Sequence, residues 1–93
     1  MKNEIVKKLI DALGYSGHSA NRTAVDLLAF KDEDLQRAVV NWLNNNETQN
    51  IIEGNISTNR LMAERNMTFP AALIMINWIR EDEAAALTAL DVM

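Results

Sequence analysis

The chain has no cysteine, one proline, three glycines, one histidine and only five aromatic residues. Without cysteine there is neither a disulfide framework nor a thiolate metal site. Three glycines are too few for the glycine-rich loops that cradle phosphates. There is no long hydrophobic run either. The longest is FPAALIMI, Phe69 to Ile76, well short of the roughly 20 residues that a membrane-spanning helix needs. The N-terminal stretch MKNEIVKKLIDAL is amphipathic and lacks an uninterrupted apolar core, so no secretory signal is read and a cytoplasmic location is expected.

Basic charge is also scarce. Thirteen acids face nine bases, for a net charge of -4. The bases are scattered along the chain, whereas a phosphate-binding face requires them clustered. Nucleic acid and membrane are therefore disfavoured as partners. Asparagine is abundant, at eleven residues in 93. The four N-x-[ST] sequons, at Asn21, Asn46, Asn55 and Asn66, are what such a composition produces by chance.

What is present is helical periodicity. Ile5, Val6, Leu9, Ile10 and Leu13 share one helix face. Glu4 is spaced to pair with Lys8 one turn on. Gly14 follows as a left-handed cap, with Tyr15 placed to fold back on Ile10. Ser16 to Ser19 reads as a loop, and Ser19 as the cap of a second helix from about Ala20 to Phe30. Its apolar set is Ala24, Leu27 and Leu28, with Val25 on the flank. A third helix begins near Asp32, where three acids meet the positive helix end. Leu35, Ala38, Val39, Trp42 and Leu43 complete its stripe.

After Asn44 to Asn46 the period is lost. Residues 47–56 read as a linker turning at Gly54, pinned by Ile51, Ile52 and Ile56. Ser57 or Thr58 caps a fourth helix reaching about Arg65. Thr68 caps a fifth with Pro70 in its first turn, where a missing N–H costs nothing. Ala71 to Ile76 is apolar all round, the mark of a helix buried on most faces. The expectation is an all-α, compact bundle of five short helices, or six if the last breaks near Asp82. It forms a single domain, 1–93, with sub-units 1–46 and 57–93 on either side of the linker. The expected core is Leu9, Leu13, Leu28, Val39, Trp42, Leu73, Ile76 and Trp78.

The stretches NWLNNNE (Asn41 to Glu47) and NWIREDE (Asn77 to Glu83) look alike, and so do SANR (Ser19 to Arg22) and STNR (Ser57 to Arg60). A duplicated two-helix unit fits these matches. So do two amphipathic helices that each anchor a core through a Trp. Because the residues between the matched ends do not align, the second reading is adopted.

No chemistry-bearing constellation emerges. His18 lies beside Ser16 and Ser19, but a nucleophilic pair needs an orienting third group and oxyanion donors, so an exposed His is expected. Asp32 to Asp34 and Glu81 to Glu83 are consecutive, and consecutive helical residues point apart rather than converging on an ion. No catalytic residue, metal ligand or cofactor site is assigned, and an enzyme is not expected. A helix-turn-helix DNA-binding regulator is the alternative. Its best recognition helix is the third, with Gln36 and Arg37 early in it.

EIVKKLIDALGY, followed by two helices ending in LQRAVVNWL, resembles a ubiquitin-associated (UBA) three-helix domain over residues 4–43. The Gly-aromatic pair Gly14-Tyr15 and the RAVVNWL stretch, Arg37 to Leu43, carry the likeness. The stretch from Tyr15 to Ala38 is several residues longer than the family's usual spacing. The resemblance implies a protein-binding surface at Gly14, Tyr15, Arg37 and Asn41. The function expected is a small non-enzymatic protein–protein interaction module whose partner is another protein or a second copy of itself.

Overall fold

A computed structural model describes residues 1–92. The described residues are all-α in class. Six helices are joined by short connections and accompanied by one small hairpin: α1 (Lys2–Leu13), α2 (Gly17–Leu28), α3 (Glu33–Asn45), β1 (Ile52–Glu53), β2 (Ile56–Ser57), α4 (Thr58–Glu64), α5 (Phe69–Glu81) and α6 (Glu83–Asp91). The chain divides into two compact units, Met1–Gln49 and Asn50–Met93.

In the first unit α1 packs chiefly on α2, and α3 touches both. The core is Ile5 and Leu9 from α1, Ala20, Ala24 and Leu27 from α2, and Leu35, Ala38, Val39 and Trp42 from α3, closed by Phe30. α1 ends as its sequence predicts. Gly14 takes φ 73, a left-handed conformation in which a side chain would be strained. The Gly14 and Tyr15 N–H groups donate to the Ile10 and Leu9 carbonyls at 3.1 and 3.0 Å. Asn46 at φ 55 ends α3 in the same way.

The second helix starts earlier than expected. Ser16, not Ser19, is its cap: the Ser16 hydroxyl accepts from the Ser19 N–H at 3.2 Å, the usual reach from an N-cap to the third helical residue. Leu13, Leu28 and Trp78, expected in the core, are 36%, 43% and 38% exposed. The buried stripe of α2 runs Ala20, Ala24, Leu27, which leaves Leu28 about 100° away. Leu13, the final residue of α1, lies beyond the buried Ile5 and Leu9.

In the second unit α5 is central, touching α4, α6 and both strands. Phe69, Ala72, Leu73, Met75, Ile76 and Ile79 are buried along it, as its near-continuous apolarity predicts. Thr68 caps it by accepting from the Ala71 N–H at 3.3 Å, with Pro70 in the first turn. Of the two courses the sequence left open, the chain takes the break at Asp82, whose carboxylate then caps α6 through the Ala85 N–H.

Within the segment expected as a linker, Ile52 and Glu53 pair antiparallel with Ser57 and Ile56. Gly54 supplies the turn at φ 61. Two residues per strand are too few for a period to show. Ile51 is buried, Ile56 is half-buried and Ile52 is 63% exposed. Ile52 was expected to pin the segment, but strand neighbours point to opposite faces, so it cannot bury alongside Ile51.

A hydrogen-bond cluster ties the hairpin to α4. The fully buried Thr58 hydroxyl accepts from the Ile51 N–H at 3.0 Å and donates to Asn50 Oδ1 at 3.4 Å. The same Asn50 oxygen accepts from the Asn59 N–H at 3.1 Å.

Candidate functional surfaces

The residues expected to form a protein-binding surface fall on two elements. Gly14 and Tyr15 close α1, the first exposed and the second half-buried. Arg37 and Asn41 lie one turn apart on α3, the first exposed and the second half-buried. The Asn41 carbonyl accepts from the Glu47 N–H at 3.3 Å in the α3 end cap.

α1 and α3 meet at a contact that the sequence did not announce. Lys8 does not serve Glu4, whose carboxylate instead lies 3.9 Å from the N-terminal ammonium. Its ammonium donates to the Trp42 carbonyl and sits 4.5 Å from the centroid of the Trp42 ring. The last carbonyls of a helix are unsatisfied and carry partial negative charge. α3 has no base of its own in its last turn, so α1 supplies one. Burial pushes the Lys8 ammonium below its ordinary pKa. The neighbouring Lys7 is displaced the other way, because it donates to Asp11 at 2.7 Å.

The second unit uses a similar arrangement. α6 also lacks a base in its last turn, and the Arg65 guanidinium donates to the Leu90 carbonyl at 2.9 Å.

His18 sits exposed in the first turn of α2 rather than in a loop, because Ser16 starts the helix. It lines a shallow hollow with Lys2, Asn21, Arg22 and Asp26. Among the described residues, no group of three or more His, Asp or Glu side chains is placed to hold a metal ion. No described helix is long and apolar enough to cross a membrane. Gln36, offered as a base reader on the third helix, donates its side-chain amide to the Phe30 carbonyl at 2.8 Å. That bond holds the α2–α3 loop and uses one of the two N–H donors of the Gln36 amide.

Concave surfaces with apolar lining occur in both units. In the first unit, Met1, Leu27, Leu28, Val39 and Val40 line a groove of about 240 Å³. In the second, a groove of about 390 Å³ lies between the hairpin turn and the α5–α6 joint. Its apolar lining is Ile56, Ile79 and Leu87, and Glu53 and Glu83 stand at its margin. Glu53 is held by Arg80 at 2.7 Å. Sequence reading missed this groove because three elements separated along the chain build it. The one local signal is the Glu83–Leu87 spacing, which puts both side chains on one face of α6. Comparison of the chain with protein-family models, with curated proteins and with solved structures finds no match.

Proposed function

We propose that the protein is a small non-enzymatic interaction module that binds another polypeptide or a second copy of itself. The observation that carries this reading is the apolar surface left after both cores have closed. Met1, Val25 and Leu28 in the first unit, and Ile52, Trp78 and Leu87 in the second, are each at least 36% exposed. Single exposed apolar residues are ordinary, but apolar side chains gathered into a concave surface mark a place where another molecule docks. Leu28 lies in one groove and Leu87 in the other.

The test has two steps. Sedimentation velocity over a range of concentrations reports whether a 10.5 kDa monomer gives way to a larger species. The chain is then used as bait in a host lysate beside its Leu28→Gln and Leu87→Gln variants. Self-association, or a saturable partner that a variant loses, is the expected result. A monomer at every concentration that retains nothing beyond what the variants retain overturns the proposal.

A further inference from the structure

We infer that the groove between the hairpin turn and the α5–α6 joint receives a basic amphipathic helix from a partner protein, with an aliphatic side chain seated on Ile56, Ile79 and Leu87. The inference rests on the interaction-module reading and assigns the partner's chemistry. At about 390 Å³, the groove falls at the small end of the range for ligand-binding clefts. That suits one or two inserted side chains better than an extended ligand.

Charge supplies the sign. From Asn50 onward there are three bases, Arg60, Arg65 and Arg80, and six acids, Glu53, Glu64, Glu81, Asp82, Glu83 and Asp91. Each base is engaged within the unit: Arg60 with Glu64, Arg80 with Glu53, and Arg65 with the Leu90 carbonyl. Four carboxylates, Glu81, Asp82, Glu83 and Asp91, fall outside the two ion pairs. One of them, Glu83, lines the groove at the joint between α5 and α6. A partner presenting acids there is repelled, and one presenting Lys or Arg beside its apolar anchor is attracted. A helix with apolar residues at i and i+4 and bases flanking them meets both demands.

The test is a titration of the isotope-labelled full chain, followed by amide NMR, with two synthetic helical peptides. They share one Leu pattern, and the polar positions are Lys in one and Glu in the other. The Lys peptide is expected to shift the amides of Gly54, Ile56 and Leu87 saturably, and the Glu peptide is not. Glu83→Lys and Leu87→Gln, both surface changes, are each expected to weaken the Lys peptide about tenfold, the equivalent of about 1.4 kcal/mol. Equal binding of both peptides at these amides ends the basic-partner assignment but leaves the groove as an interaction surface. The assignment is also overturned if shifts from the Lys peptide spread over the acidic surface and survive both variants, or if neither peptide binds. The sedimentation and bait experiments judge the broader reading separately.

Discussion

Trp42 and Trp78 stand in nearly the same local sequence and have opposite fates. Trp42 is 3% exposed and Trp78 is 38% exposed. In α3 the stripe Leu35, Ala38, Val39, Trp42 includes the Trp. In α5 the stripe Ala72, Leu73, Ile76, Ile79 puts the neighbour of Trp78 in the core and turns the Trp about 100° outward. Phase against the rest of the helix decides burial, and a three-residue match carries no phase. The other matched pair is out of step as well. Ser57 caps α4 by accepting from the Arg60 N–H, whereas Ser19 lies inside α2. The likeness between the halves is one of composition, and their roles differ.

The largest expected effect tests this contrast directly. Trp42→Ala should cost about 3–5 kcal/mol of stability, as for other buried Trp truncations. Trp78→Ala should cost no more than about 1 kcal/mol, the level of an ordinary exposed position. Urea denaturation monitored by circular dichroism measures both, and equal losses would break the comparison.

Thr58→Val comes next. It removes the acceptor for the buried Ile51 N–H, and an orphaned buried donor costs about 1–3 kcal/mol. Hydrogen exchange at Ile51 should accelerate in the variant, because the hairpin is then held less firmly to α4. Unchanged exchange would mean that the cluster does not hold the hairpin.

Gly14→Ala should cost about 1 kcal/mol, since an L side chain at φ 73 is strained even where nothing crowds it. In the reverse sense, Asn46→Gly at the matching end of α3 should be neutral or slightly stabilising. Thermal unfolding of both variants checks the pair.

The smallest effects concern the two basic side chains that reach helix ends. Lys8→Met should cost less than about 1 kcal/mol, because loss of the donor to the Trp42 carbonyl and of the cation over its ring is offset in part by relief of the buried charge. Arg65→Met should cost less, because Arg65 is exposed. The pH dependence has a definite sign. The Lys8 pKa is lowered by burial, so the folded chain pays for keeping this amine charged. That penalty is fully present below the folded pKa and fades as pH rises from there toward 10.5, the ordinary value. Lys7, raised by Asp11, contributes stability below 10.5 and loses it as pH climbs through the higher folded value. Lys8→Met should therefore remove an alkaline gain, and Lys7→Met an alkaline loss, in stability measured across that range.

Much of the fold was legible because it rests on local rules. Four of the helices are announced by a cap: Gly14 ends α1, Asp32 to Asp34 open α3, Ser57 opens α4, and Thr68 and Pro70 open α5, whereas the division of α5 from α6 at Asp82 was one of two courses the sequence left open. The misses share a physical origin. Leu13 and Leu28 carry core-type side chains at helix ends beyond the buried stripe, where only tertiary packing settles exposure. The hairpin is too short to show alternation. Lys8 had a local partner in Glu4 by spacing, and a partner 34 residues away offered a ring and a helix-end carbonyl instead. The acid-margined groove was invisible for the same reason, since the hairpin and two helices must come together before it exists.

The central claim is that the cores close and leave apolar side chains at the surface, with Trp78 outside and Trp42 inside. Acrylamide quenching of the native chain and of its Trp78→Phe variant tests it most directly. The variant, emitting from Trp42 alone, should be blue-shifted and poorly quenched, and the difference from the native chain should be red-shifted and readily quenched. Two components alike in wavelength and quenching would contradict the account.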